Sequence, residues 1–227
     1  MKTIYKAVIL SALGLGTIAT AQAQATYNSD LIIGFTTTTG NDLEYDAGSV
    51  SSLYSGEQFA LGSLLNLSAL STIDWGVIAS VTSNHTQYQT DANTPNTVPS
   101  FGSWNSINTS VKAIYNNPFT AAGAGNSATP AATAPYSWNV ETLNPNAGTD
   151  YLNEYGGSNP NVVGLTTVNF FGAPDNGATP SVLGTFTLDN TGTVTFNAVP
   201  EPSAYGIIAG AGLLVVSLRN RFSKKQV

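Results

Sequence analysis

The sequence predicts a β-rich α+β fold, a single domain of antiparallel strands with one or two short helices spanning residues 24–198, flanked by an apolar helix at each end of the chain. Three observations predict it. Residues 24–200 carry 25 Thr, 21 Asn and 18 Ser against 13 charged side chains. Thr is β-branched, and Asn and Ser hydrogen-bond their own backbone, so strands and turns are favoured over helices. Short apolar runs, several alternating with a period of two, are separated by clusters of Gly, Asn and Asp, the punctuation of strands and hairpins. Finally, the length of this stretch suits one domain and shows no repeat of constant period.

The first element is an export signal at residues 1–23. Lys2 and Lys6 precede the apolar run Ala7–Ile18, and small residues follow at alternate positions, Ala21, Ala23 and Ala25. A positive start, a short apolar centre and an A-x-A ending are the parts of a secretory signal peptide, with cleavage expected after Ala23 or Ala25. The apolar run is short for a membrane span of about 20 residues.

Strands come next. Asp30–Thr37 and Leu43–Val50 flank Gly40-Asn-Asp and predict a hairpin. Ile73, Trp75, Val77, Ala79 and Val81 alternate, which predicts a strand with one apolar face. Val162–Phe171 reads as a longer strand, and Val182–Leu188 and Thr193–Phe196 form a second hairpin around Asp189-Asn-Thr-Gly192. Two stretches have helical spacing. Phe59–Leu67 is rich in Leu, and Trp104, Ile107, Val111, Ile114 and Tyr115 fall on one face at steps of three and four. Thr86–Ser100 reads as polar and turn-rich, and residues 117–135, low in complexity, as a flexible surface loop.

The chain closes with Val199-Pro-Glu-Pro-Ser203, an uncharged apolar run to Leu218, and a tail holding Arg219, Arg221, Lys224 and Lys225. Residues 203–218 would make about 24 Å of helix at 1.5 Å per residue, somewhat less than a hydrocarbon core of about 30 Å. Tyr205 at one end and long basic side chains at the other extend the span. The basic residues 219–227 predict a cytoplasmic tail by the positive-inside rule. Two prolines hold residues 200–202 extended and unavailable to helix or sheet, with Glu201 as the one charge at that point.

This order of parts resembles the PEP-CTERM sorting signal, in which a Pro-Glu-Pro motif, here Pro200, Glu201 and Pro202, precedes a transmembrane helix and a short basic tail. The resemblance covers residues 199–227. It implies recognition by an exosortase, a membrane-embedded cysteine protease or transpeptidase of Gram-negative bacteria that make exopolysaccharide. Cleavage near the motif would release the body or transfer it. The body itself, with Asp30-Leu-Ile-Ile-Gly-Phe35, Tyr45-Asp-Ala-Gly-Ser49, Trp75-Gly-Val77 and Leu183-Gly-Thr-Phe-Thr-Leu-Asp189, is similar to exported PEP-CTERM proteins of the verrucomicrobial type, a group that brings no activity with it.

Charge and composition exclude several functions. Residues 24–200 hold twelve acids against Lys112 alone, so the body cannot neutralise a run of phosphates and nucleic acid is no partner. With no cysteine there is no disulfide framework, thiolate zinc site, iron–sulfur cluster or cysteine nucleophile. His85 is the one histidine, so a multi-histidine metal site within the chain is excluded as well. No motif implies a cofactor.

Chemical candidates in the body are sparse. Asp42, Glu44 and Asp46 lie at i, i+2 and i+4, one face of a strand. The spacing is that of the start of a calcium loop, but Ala47 stands where such a loop needs glycine, and a solvated polar strand face is the plainer reading. Twelve acids make a glycosidase-like pair almost inevitable, and hence uninformative. His85, in Ser83-Asn-His-Thr-Gln87, reads as an exposed loop residue with no nucleophile elbow to serve. Trp75 and Trp104 fall on apolar faces, whereas Trp138, in Pro135-Tyr-Ser-Trp-Asn139, is the tryptophan placed to offer an exposed stacking platform.

The expectation is therefore an exported, non-enzymatic surface or extracellular-matrix protein, handled by the general secretion machinery and an exosortase, anchored in the inner membrane until processed, and linked to exopolysaccharide or biofilm. The alternative is a secreted carbohydrate-binding module or glycan-active enzyme bearing the same sorting tag.

Overall fold

The structure, a computed structural model, describes residues 27, 29–36, 40–91, 103–122, 126–143, 160–174, 179–199 and 213–214. It is β-rich. The strands are β1 (Asp30–Thr36), β2 (Leu43–Ser49), β3 (Gln58–Ala60), β4 (Asp74–Val81), β5 (Thr86–Asp91), β6 (Ser127–Ala128), β7 (Val162–Val163), β8 (Thr167–Pro174), β9 (Ser181–Leu188) and β10 (Thr193–Ala198), with helices α1 (Trp104–Ala122) and α2 (Trp138–Leu143). The strands form one antiparallel sheet in the order β3-β10-β9-β8-β5-β4-β1-β2-β6, with β7 beside β4.

The sheet is curled. Tyr45 on β2 and Phe59 on β3 lie near opposite ends of the strand order, yet their rings meet edge to face at 6.3 Å. The concave side holds the larger core. Leu31, Ile33 and Phe35 of β1, Trp75 and Val77 of β4, Phe170 of β8, Phe186 of β9 and Phe196 of β10 all contribute to it. The Trp75 indole donates to the Gly164 carbonyl at 2.9 Å, which satisfies its one polar group. On the convex side Ile32 and Ile78 pack with Ile107, Val111, Ile114 and Phe119 of α1 and with Trp138. Strand β1 is thus buried on both faces.

Several sequence expectations hold. The β1–β2 and β9–β10 hairpins form with paired registers, and Gly192 in the second turn adopts φ 75, where glycine carries no Cβ penalty. The helical face through Trp104 and Tyr115 is α1, which runs further than expected and includes Pro118.

Others are corrected. Phe59–Leu67 is no helix: Gln58–Ala60 pairs with β10 as β3, and only a 3-10 turn at Leu67–Ala69 follows. The sheet edge claims this segment over its Leu content. The polar run starting at Thr86 contains β5, paired on both sides with β4 and β8. Strand β4 is buried on both faces, not one, because α1 covers its convex side. The expected strand Val162–Phe171 divides into β7 and β8 around Gly164, at φ 73. Residues 117–135 are not one surface loop. Their first part completes α1, and Ser127–Ala128 extends the sheet beside β2. Asp42 N bonds to the Pro130 carbonyl at 2.8 Å and Ala132 N to the Gly40 carbonyl at 3.0 Å.

Candidate functional site

The three acids Asp42, Glu44 and Asp46 do share one face, but it is the convex face beneath the helices. Asp42 and Glu44 are fully buried and Asp46 is half-buried, so the expected solvated face is a correction. Its cause is α2, an element with too short a pattern to be read in the sequence, which lies across this part of the sheet. Among the described residues no group of three or more His, Cys, Asp or Glu is arranged to hold a metal ion, Asp42, Glu44 and Asp46 included.

The outer two acids have structural partners. One Asp42 oxygen accepts the Asn139 backbone N–H of α2 at 2.6 Å. Asp46 accepts the Gly48 N–H at 2.8 Å through one oxygen and the Tyr115 hydroxyl at 2.8 Å through the other. Burial, followed by that bond and the Asp46 charge, pushes the Tyr115 hydroxyl pKa up. Glu44 between them differs. Neither of its oxygens completes a hydrogen bond, although the Trp138 backbone N–H faces its carboxyl and favours the charged form. Burial dominates, Asp42 and then Glu141 add like-charge repulsion, and together they hold the Glu44 pKa well above the ordinary carboxylate range.

Trp138 is the centre of this region and is fully buried. That corrects its expected role as an exposed platform. Its indole N–H donates to Asn161 Oδ1 at 2.7 Å, Asn161 Nδ2 donates to Thr142 Oγ1 at 2.8 Å, and Thr142 returns a bond to the Trp138 carbonyl at 2.6 Å. The ring lies against Gly34, where a Cβ would stand 1.9 Å from it. Glu44 is paired directly across from Gly34 on one side, and Gly76 on the other. A strip without side chains therefore crosses β1 and β4, covered by the indole at Gly34 and by the Pro160 carbonyl at Gly76.

The remaining candidates are placed as follows. His85 is exposed in the β4–β5 turn, as expected, with φ 51, and its ring stacks on Trp104 at 4.1 Å. Trp75 and Trp104 are buried. The signal residues Ala21, Ala23 and Ala25, the motif Pro200–Pro202, residues 203–212 and 215–218 of the predicted anchor, and the tail residues Arg219, Arg221, Lys224 and Lys225 lie outside the described residues. Among the described residues no helix is long and apolar enough to cross a membrane.

The buried layer of Gly34, Glu44, Trp138, Glu141, Thr142 and Asn161 was not legible in the sequence. Its one readable signal was the i, i+2, i+4 spacing of acids on β2, which gives a face and says nothing of what covers it. Comparison of the chain with protein-family models, curated proteins and solved structures finds no match.

Proposed function

We propose that the chain is an exported surface or extracellular-matrix protein, anchored through residues 203–218 until an exosortase acts at Pro200–Pro202, and linked to exopolysaccharide. The signal peptide, the Pro-Glu-Pro motif, the apolar run and the basic tail motivate the reading. The observation that carries it furthest is where the sheet stops. Strand β10 ends at Ala198, and the Val199 N–H makes a last bond to the Leu183 carbonyl at 2.9 Å, immediately before Pro200. Proline has no N–H and cannot extend the ladder. A cut at the motif therefore leaves every described strand intact.

The other end supports the same reading. Tyr27 lies two residues beyond Ala25 and is packed beneath α1, with its backbone N–H on Asn116 Oδ1 at 3.2 Å. Its hydroxyl accepts the Ser80 N–H at 2.7 Å. Loss of residues 1–23 or 1–25 spares these contacts. The carbohydrate-binding alternative loses the side chain chosen for it, because Trp138 offers no open face.

Intact-mass measurement of the protein from its native host tests both ends at once. The expected mass corresponds to a chain beginning at residue 24 or 26 and ending near residue 202. Deleting 199–227 should move the protein from membrane or surface fractions to the soluble one; fractionation indifferent to that deletion overturns the sorting proposal.

A further inference from the structure

We propose that α2 is a pH-gated clasp, held closed on the convex face of the sheet while Glu44 carries a proton and loosened when Glu44 gives that proton up. The geometry makes the argument. Glu44 is fully buried with neither oxygen in a completed hydrogen bond, in a protein whose neighbouring acids are bonded. The Trp138 backbone N–H of α2 faces the carboxyl and favours its charged form, but burial outweighs it; a buried carboxylate with no completed bond is costly, whereas its neutral form is tolerated.

Among the described residues no cation acts on Glu44. On its own strand stand Asp42 and Asp46, each accepting hydrogen bonds described above. Strands β1 and β6 place Gly34 and Ala128 opposite it. Helix α2 contributes Glu141, fully buried, and α1 contributes Tyr115, whose hydroxyl is taken by Asp46. Ionising Glu44 thus adds a negative charge beside Asp42 and Glu141.

The strain is relieved most cheaply by admitting water, and α2 is the part that can move. It has six residues, too few for a helix stable without its docking. Its attachments are the Trp138 indole in the glycine strip, the Asn161 bonds to Trp138 and Thr142, the Asn139 N–H on Asp42, and Asn139 Nδ2 on the Ala132 carbonyl at 3.0 Å. By contrast, β1 and β4 are paired on both edges and buried on both faces. Local opening takes the less protected unit first.

For a carboxyl whose pKa is raised by folding, the closed state holds the extra proton, so closure is favoured at low pH and weakens as pH rises through the folded pKa. Hydrogen exchange of the full-length chain in a neutral detergent, from about pH 3 to about pH 9 to bracket both an ordinary and a buried glutamate, reads this directly. After correction for intrinsic amide chemistry, protection of residues 139–143 should be flat below the ordinary glutamate value of about 4.3. Above that it should fall about tenfold per pH unit, the signature of one linked proton, and level off once the pH passes the closed-state pKa. Amides of β1 and β4 should keep their protection. In Glu44→Gln, which stays neutral, the α2 amides should be flat throughout. Should that variant not fold, Glu141→Gln removes one repelling charge, so the Glu44 pKa of the closed state drops and the fall should level off at lower pH with the slope unchanged. Flat α2 protection in the wild type, a Glu44→Gln profile that follows the wild type, an unmoved levelling point in Glu141→Gln, or β1 and β4 opening in step with α2 each overturn the clasp.

Discussion

Gly34→Ala is the sharpest test of how the convex face is built. A Cβ at residue 34 would lie 1.9 Å from Cδ2, 2.0 Å from Cε3 and 2.4 Å from Cε2 of Trp138. Carbon atoms in contact sit about 3.5–4.0 Å apart, so the indole must move by more than an ångström. Overpacking of this kind costs about 1–3 kcal/mol. Moving the ring also pulls its N–H from Asn161 Oδ1, and a stranded buried donor costs about 1–3 kcal/mol more. Alanine recovers only about 0.5–1 kcal/mol over glycine in backbone entropy. The net loss is about 1–5 kcal/mol, against the roughly 5–15 kcal/mol that holds a domain folded. Urea unfolding followed by tryptophan fluorescence measures it. A double-mutant cycle with Trp138→Leu isolates the cause, because the smaller side chain leaves room for the methyl group. The added cost of Gly34→Ala should then shrink below about 1 kcal/mol, giving a coupling of about 1–4 kcal/mol, within or somewhat above the range seen for residues in contact. Equal cost in both backgrounds, or a wild-type-background loss under about 1 kcal/mol, would refute the packing argument.

Three further outcomes follow from single contacts. Tyr27→Phe keeps the ring against Tyr115 but takes the acceptor from the buried Ser80 N–H, so denaturant melting should show a loss of about 1–3 kcal/mol. Thr90→Val removes the hydroxyl that donates to the Pro160 carbonyl at 2.6 Å and accepts the Val77 N–H at 2.8 Å. Its expected cost is also about 1–3 kcal/mol, with loosened proteolytic protection around residue 160 as the local readout. In the β9–β10 turn, the Asp189 carboxylate accepts the Thr191 hydroxyl, the Thr193 N–H and the Thr191 N–H, which lower its pKa. A depressed carboxyl stabilises above the unfolded value of about 3.9 and loses that contribution as pH falls through the folded one. Asp189→Ala should therefore flatten the acid limb of the stability curve, measurable by thermal melting between neutral and strongly acid pH.

What the sequence disclosed divides along physical lines. Strands such as β1 and β9 are legible because alternation and turn residues are local properties, and the β9–β10 turn around Asp189 and Gly192 needs only four residues to declare itself. Strand β5 was missed because Gln87, Gln89 and Asp91 are polar side chains buried on the convex side, and burial of polar groups leaves no periodic trace. Trp138 was misplaced for a related reason. Its neighbours Pro135, Tyr136 and Ser137 look like a loop, and the feature that buries it is a glycine on another strand 104 residues earlier. Glu44 illustrates the same limit: the sequence set it on a face with two other acids, and only the docking of α2 decided whether that face was wet.

The placement of the chain ends bears on how a tethered form would carry load. In the proposed anchored state the tail continues from β10, and β10 is an interior strand, paired with β9 through Val194–Ala198 and with β3 through Thr193–Thr195. Tension along it is resisted by ladders on both sides, which must shear together, and by Val194 and Phe196, both buried in the concave core. The partner strand β9 is in turn held by β8 over Thr167–Gly172. A tail attached to β6, a two-residue edge strand with one partner, would instead peel one bond at a time. Attachment at β10 thus spreads load over the better-connected half of the sheet and leaves α2, on β1 and β2, outside its path. Opening of the clasp and tension on the tail are therefore expected to act independently, so that the pH dependence of α2 exchange should be the same in the anchored chain and in the processed one.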